Sequence, residues 1–400
     1  MMRVAFVGNQ DNHAYRLCKW ARELGVDAEL YLIRQESGPR SAPELVDGEL
    51  GGGPESYPDW LRMYDDTSRL SFLRRSEVAR RIERGYDVVV TSGVTGMLAA
   101  NHFRHIPIVH YCLGSEVNEF PTFLFARRMS VALRGASFLV RRALAKVRKV
   151  VINYQVEGRV LAQLGHREKI VVFGFPEDTE GNRSRIDDEL AGQLSEKYAD
   201  VDRVFMWFNR LNYLDRVSPE CKHVDVFLDA YERLIADGAG GRVKAVVGTH
   251  GKDVEAFQAA ATDKGLDAHI DYVPHLPFRH LLTYLSMDKG VYFDIPDKSK
   301  GGIGGAGREA LSVGAVLIRS IHPELIFLCY GPDCPIWSVV DVASCHAAMA
   351  EVLAMDDERF ARHRQAHMDW ADRYLNYKRH LPRFIHLLHE VAFADGVKDF

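Results

Sequence analysis

The sequence has no apolar run long enough to cross a bilayer, so no stretch of it reads as a membrane-spanning helix. Its six cysteines (Cys18, Cys112, Cys221, Cys329, Cys334 and Cys345) form no Cys-x-x-Cys pair, and most sit in apolar stretches. That pattern points to reduced core thiols rather than a disulfide framework. A large excess of charge is also lacking: the formal net charge is −4, which argues against nucleic acid as a partner. The opening residues show no signal-peptide pattern and enter a strand at once, so a cytoplasmic location is expected. The turn Gly8-Asn9-Gln10-Asp11 lacks the Gly-x-Gly-x-x-Gly of a first-strand dinucleotide site. No Asp-x-Asp follows an expected strand, where it would suggest metal-dependent transfer, so no metal is expected; no cofactor is expected either.

What is present is apolar patterning at the scale of two domains. The 400 residues are 47% hydrophobic and 26% charged, enough for two sizeable cores. Buried strands are expected at Val4 to Val7, Asp27 to Ile33, Tyr86 to Thr91, Ile106 to Tyr111, Val150 to Asn153 and Ile170 to Phe173. Helical spacing covers Ala14 to Leu24, Leu70 to Gly85 and Gln155 to Leu164. The residues from Arg34 to about Asp66 have no periodicity and read as a long functional or surface loop. Pro176 to Asp202 is polar and poor in large apolar residues, which predicts an interdomain connection. A second series follows: strands at Val204 to Phe208, Val243 to Gly248 and Ile270 to Val273, with a helix from Val224 to Ile235. Two alternating series of this kind predict an α/β protein with two Rossmann-like domains.

The most informative stretch is 290–319. Gly290 to Asp294 reads as a buried strand, and five glycines fall between 301 and 307. Arg308 to Val313 has the composition of a helix start, and Ala315 to Ile318 is again a strand. A glycine loop feeding a helix lets backbone N–H groups converge with no Cβ in the way, which suits a phosphate. A plain loop between core strands is the bland alternative. Gly302, Gly304 and Gly307 also spell Gly-x-Gly-x-x-Gly, but the loop from Asp294 is too long for that motif's tight turn.

A second feature is basic. No acidic residue occurs from Phe120 to Val156, while Arg127, Arg128, Arg134, Arg141, Arg142, Lys146, Arg148 and Lys149 alternate with Phe123, Leu124, Met129, Leu133, Phe138, Leu139 and Leu144. Two readings stand for 121–149: a helix lying on an anionic membrane surface, and a solvated basic face over an ordinary core helix.

Gly301 to Gly314 resembles the nucleotide-sugar signature of the retaining GT-B glycosyltransferases of family four, roughly E-G-F-G-L-P-x-x-E-A-M-A-x-G. Gly302, Gly304, Glu309, Ala310 and Gly314 fall on it in register, and Gly301 stands where the family has its first glutamate. Leu113-Gly114-Ser115-Glu116 is similar to the family's H-G-[ST]-D segment, with Leu113 in place of the histidine; His110, three positions earlier, reads most simply as a packed strand residue. The resemblance implies a GT-B fold with two Rossmann-like domains facing a cleft. It implies an N-terminal acceptor domain over 1–180, a donor domain over 181–365, and helices from 366 to 400 crossing back to the first domain. It further implies that a sugar passes from a nucleotide-sugar to a glycan or lipid-linked acceptor with retention, at the cytoplasmic face of a membrane.

In that reading Arg210 and Lys222 hold the donor diphosphate and, with Glu116, form the catalytic set. Gly248, His275, Gly302, Ile303, Gly304, Gly305 and Glu309 line the donor, with Glu309 accepting the ribose hydroxyls. Gly8, Asn9, Gly114 and Ser115 lie on the acceptor side. Leu113 and Gly301 both fall where the family holds the transferred sugar, and five glycines leave room for another sugar pose with Lys298 or Lys300 reaching in. Two alternatives therefore stay open: a catalytically inactive scaffold that still binds nucleotide, and a nucleotide-sugar epimerase of the same fold.

Overall fold

The structure, a computed structural model, describes residues 2–33, 43, 50, 57–64, 77–121, 130–214, 221–295 and 301–394. The chain divides into two compact units, one of residues 1–173 with 380–400 and one of residues 174–379.

The first unit runs β1 (Arg3–Val7), α1 (His13–Glu23), β2 (Asp27–Ile33), β3 (Leu61–Tyr64), α2 (Glu77–Gly85), β4 (Val88–Ser92), α3 (Gly93–Ala99), β5 (Ile108–Tyr111), α4 (Ser115–Asn118), α5 (Val131–Lys146), β6 (Lys149–Ile152), α6 (Gln155–Gln163) and β7 (Ile170–Val172). Its strands form one parallel sheet in the order β3-β2-β1-β4-β5-β6-β7. Continuous apolar strands suit such a sheet because helices cover both faces. All of β4 and β5 is buried accordingly. Strand β3 falls inside the stretch expected to be loop; it is an edge strand of four residues, too short to show a period. The helix expected from Leu70 is described only from Glu77, and residues 70–76 lie outside the described residues.

The second unit runs α7 (Thr179–Ser184), α8 (Asp188–Lys197), β8 (Arg203–Trp207), α9 (Val224–Leu234), β9 (Val243–Gly248), α10 (Val254–Asp263), β10 (Ile270–Val273), α11 (Phe278–Leu285), β11 (Gly290–Asp294), α12 (Gly305–Ser312), β12 (Val316–Arg319), α13 (Pro323–Cys329), β13 (Trp337–Ser338), α14 (Val342–Leu353) and α15 (Asp357–Tyr374). Its parallel sheet has the order β10-β9-β8-β11-β12-β13. Phe205, Trp207, Phe227, Tyr231 and Phe293 form an aromatic core on one face.

The expected interdomain connection over Pro176 to Asp202 holds two helices instead. Asp178 caps α7 by accepting from the Gly181 N–H at 2.9 Å, and Asp187 caps α8 by accepting from Leu190 at 3.3 Å. Their buried faces are narrow, with Leu194 the one large apolar residue enclosed in α8, so composition alone reads as linker. Asn182 donates to the Ser312 hydroxyl at 3.0 Å, and Arg183 pairs with Asp372 at 2.8 Å, which ties α7 to α12 and α15. These bonds draw the unit boundary back to 173/174 rather than 180. They also keep α15 in the second unit, so the return begins at His380 and not at 366.

The last helix, α16 (Tyr377–Phe393), brings residues from His380 onward into the first unit. There Phe384 lies edge-on to Tyr111 at 5.7 Å and against Phe173 at 5.6 Å, while His380 stacks on Phe173 at 4.3 Å. Phe384 is almost fully buried. Phe384→Ala should therefore cost roughly 3–5 kcal/mol of stability, the usual range for truncating an enclosed phenylalanine. Urea unfolding of the full chain measures it, and a loss below about 1 kcal/mol would show that the returning segment adds little to the first unit.

Candidate functional site

In the second sheet, β8, β9 and β10 step away in one direction and β11, β12 and β13 in the other, so the strand order reverses between β8 and β11. Open parallel sheets bind ligands at that reversal, outside the carboxyl ends of the strands. Four loops leave there: Phe208-Asn209-Arg210 after β8, Gly248 to Gly251 after β9, the glycine loop after β11 and Ser320 to His322 after β12.

The glycine loop is fastened from beneath by two buried arginines. Arg319 Nε donates to the Gly302 carbonyl at 2.7 Å, and Arg308 Nη1 donates to the Ile303 carbonyl at 3.0 Å. Arg308 also faces Glu177 at 3.6 Å and lies over the Phe175 ring at 4.8 Å. Arg319 pairs with Asp294, its register partner on the adjacent strand, and Asp294 Oδ1 also holds Lys222 Nζ at 3.1 Å. Ile303, expected to line a donor, turns its side chain into the core and is 1% exposed. It anchors the loop, and its Cγ2 would lie only 3.2 Å from a Cβ at Gly307. Gly304 is extended and immediately precedes α12, whose first residue is Gly305.

Glu309 is buried on α12 beside the reversal. Burial raises the pKa of the Tyr292 phenol, and the negative charge of Glu309 raises it further. Asn209 donates to the Phe293 carbonyl at 3.2 Å. Asp294, Lys222, Asn209, Tyr292 and Glu309 thus gather around one end of β11. Asp294 and Arg319 escaped the sequence reading, although each is a charged residue closing an otherwise apolar strand, and that was a usable signal.

Arg210 belongs to a neighbouring cluster. The His250 and His275 rings meet edge-on at 5.0 Å. Burial lowers the His250 pKa, and the nearby charges of His275 and Arg210 lower it further. The turn is clasped by Leu211 N–H to the His250 carbonyl at 2.8 Å and Thr249 N–H to the Val273 carbonyl at 2.7 Å. Gly251, at φ +127°, leaves no room for a Cβ, which would sit 2.5 Å from the Leu211 nitrogen. Phe208 joins the two clusters: it stacks with Tyr292 at 6.3 Å and lies 3.5 Å from a Cβ built on Gly248. The structure therefore brings Arg210, Lys222, Gly248, His275, Glu309 and the glycine loop to one edge. Lys298 and Lys300 lie outside the described residues.

The residues expected on the first unit are mostly structural in their contacts. Gly8, at φ +86°, packs so tightly that a Cβ would meet the Ser92 carbonyl at 2.4 Å. Asn9 is fully buried, donating to Asn12 at 2.8 Å and accepting from the Tyr15 N–H at 2.8 Å. Glu116 is buried too: it accepts from the Leu113 N–H and faces His110 Nε2 at 3.4 Å, whose Nδ1 lies 2.9 Å from the Thr91 hydroxyl. Burial pushes the Glu116 pKa up, but the His110 contact outweighs it and leaves the carboxyl below its usual value. Gly114 takes φ +132° to deliver Ser115 to the start of α4. Glu116 is thus placed to brace the Leu113 to Ser115 backbone from within.

The model of Glycosyltransferase Family 4 matches residues 10–180. Those residues are similar to a Glycosyltransferase Family 4 domain. Solved structures similar to the whole chain include HepE of Anabaena in complex with UDP and glucose (13% identity, 98% of this chain and 100% of that chain, TM-score 0.66). Others are sucrose-phosphate synthase of Thermosynechococcus elongatus (10%, 98% and 100%, 0.67) and a trehalose-6-phosphate protein of E. coli bound with UDP-2-fluoro glucose (11%, 96% and 98%, 0.65). At such identities the likeness is one of fold, and the fold is GT-B, as the resemblance implied. Among curated proteins none matches the sequence. Among the described residues of this glycosyltransferase, no helix is long and apolar enough to cross a membrane. No group of three or more His, Cys, Asp or Glu among them could hold a metal ion.

One titration follows from the first unit. Burial and the Glu116 charge push the Glu157 carboxyl up to about 8, against the Asn153 and Tyr154 N–H groups that it accepts at 3.1 Å each. The folded chain then keeps a proton that the unfolded chain releases near its model value of 4.5. Stability should fall as pH rises from about 5 to about 8, by at most about 1.4 kcal/mol per pH unit. Glu157→Gln removes the titrating group, so its unfolding free energy should lose that downward slope. Parallel wild-type and variant curves in urea denaturation across this range would contradict the assignment.

Proposed function

We propose that this glycosyltransferase transfers a sugar from a uridine diphosphate donor to a glycan or lipid-linked acceptor, with retention at the anomeric carbon. The observation that carries the reading is the glycine loop, held open over the strand reversal by Arg319 and Arg308 with Arg210 and Lys222 on the same edge. HepE, which shares the fold, binds UDP and UDP-glucose. As the glycosidic bond breaks, negative charge grows on the leaving diphosphate. Fixed cations and loop N–H groups stabilise that charge more than they stabilise the bound donor. In this assignment Arg210 and Lys222 meet the diphosphate, Gly302, Gly304 and Gly305 offer backbone, Glu309 accepts the ribose hydroxyls, and Gly248 and His275 border the base. Asp294 keeps Lys222 in position. On the first unit Gly8, Asn9, Gly114 and Ser115 shape the acceptor side, and Glu116 braces the Leu113 to Ser115 backbone rather than touching substrate. Arg210→Ala should weaken UDP binding by roughly 2–4 kcal/mol, as expected for losing a charged partner of a desolvated phosphate. Unchanged affinity in titration calorimetry would reject the site, and failure of the wild type to turn over any UDP-sugar with an acceptor extract would reject the transferase reading.

The proposed workplace is an anionic membrane surface reached through α5. On this helix Ser137, Val140, Ala143 and Leu144 face the core, while Val131 is 88% and Phe138 58% exposed. Arg134 and Arg142 flank Phe138 one turn to either side, and both are exposed. An outward phenylalanine between arginines fits the interface of an anionic bilayer better than it fits water. Residues 122–129 of the basic segment lie outside the described residues. Flotation with anionic liposomes should carry the protein upward at low salt and release it at high salt, each basic residue near the surface adding on the order of 1 kcal/mol. Phe138→Ser should weaken it, and absence of flotation at low salt would leave α5 as a solvated face.

A further inference from the structure

A pocket in the first unit lies away from the loops described above. It opens between the last turns of α1 and the amino end of β3, and Lys19, Arg22, Glu23 and Trp60 line it. The loops after β1 and β5 leave the carboxyl ends of the same parallel sheet, so the pocket sits at the opposite end. Its volume is about 320 Å³. That is the small end of ligand pockets, which run from roughly 300 to 1,000 Å³, and it suits a single sugar ring. The walls are fixed by the fold. Trp60 stacks on the buried Tyr15 at 5.6 Å, and its carbonyl accepts from the Leu30 N–H at 2.9 Å. Arg22 lies over the indole at 5.5 Å, and its Nη1 donates to the Ala28 carbonyl at 2.6 Å. Among the described residues this is the one hydrogen bond of the Arg22 side chain, so the rest of its fork of N–H groups is unspent.

We propose that this pocket binds an acidic sugar unit of a glycan, with the sugar carboxylate on the Arg22 fork and the ring against the Trp60 indole. A planar guanidinium matches a carboxylate in shape and charge. Glu23 can only accept hydrogen bonds and so calls for hydroxyl donors, whereas Lys19 can only donate and takes hydroxyl oxygens. A sugar ring offers both, and its C–H groups suit the electron-rich face or edge contacts of an indole. A bare phosphate has no donor for Glu23 and is repelled by it. An acidic saccharide therefore meets all four lining residues. Held there, a glycan gains an attachment to the protein away from the strand carboxyl ends, which raises its effective concentration at any other site that it reaches.

Titration calorimetry of the full chain with tetragalacturonate, maltotetraose and inorganic phosphate tests this. The wild type should bind tetragalacturonate about tenfold more tightly than the neutral maltotetraose, the size expected of one charge-assisted hydrogen bond. Arg22→Gln should remove that preference, because glutamine still donates to the Ala28 carbonyl but carries no charge. An unchanged urea midpoint shows that this variant is folded. Trp60→Leu should weaken both oligosaccharides. Equal binding of the two, binding of neither, or an unchanged preference in Arg22→Gln would overturn the proposal. Phosphate binding as tight as that of tetragalacturonate, lost in Arg22→Gln, would make the pocket a plain anion site and overturn it as well. UDP binding is measured separately and should be unchanged in both variants, so failure of the donor reading leaves this test intact.

Discussion

The second unit depends on a buried ion pair between neighbouring strands. Asp294 closes β11, Arg319 closes β12, and both are 1% exposed. Two charges so placed are strongly disfavoured unless every polar atom finds a partner. The partners decide the architecture above: Arg319 reaches the Gly302 carbonyl, and Asp294 draws in Lys222 from the segment that precedes α9. Removing either member would leave a charge uncompensated in the core and release the loop it holds. With Arg308 on Ile303, the loop carbonyls are directed toward guanidinium groups beneath them. A glycine-rich chain that would otherwise sample many conformations is thereby given one.

The first unit uses the same device with the opposite sign. Its buried carboxylate Glu116 receives the Leu113 N–H and faces His110, so backbone after β5 is set by a charge from below. Glu157 shares this interior and takes up the proton that two adjacent carboxylates cannot both lose. In both units a buried ionised group orients a loop at the carboxyl end of a parallel sheet. At Leu113 the bond made to Glu116 comes from the main-chain N–H, which a leucine supplies as well as a histidine would.

The two departures from the family pattern have different causes. Leu113 keeps its backbone role regardless of side chain. Gly301 cannot carry a side chain at all, because His322 fills that space. Neither fact is visible in the motif, since each depends on a residue outside it. The same holds for Ile303, which falls inside the glycine signature yet serves the core.

The sequence by itself determined the two parallel-sheet units, the strands at 27–33, 243–248, 270–273 and 290–294, and the glycine loop leading into a helix. These are encoded locally, by unbroken apolar runs and by residues whose backbone freedom is intrinsic. Arg210, Lys222, Gly248, His275 and Glu309 came from the resemblance to family four rather than from local pattern, and the structure brings them to one edge of the second sheet. The sequence could not mark α7 and α8, whose buried faces are too narrow to change the composition of the stretch. Nor could it pair Asp294 with Arg319, set Glu116 against His110 or bring His322 onto Gly301. Those contacts join residues on different strands and loops, and strand register fixes them. Burial then removes the water that would otherwise have screened each charge, and this last step belongs to the tertiary structure alone.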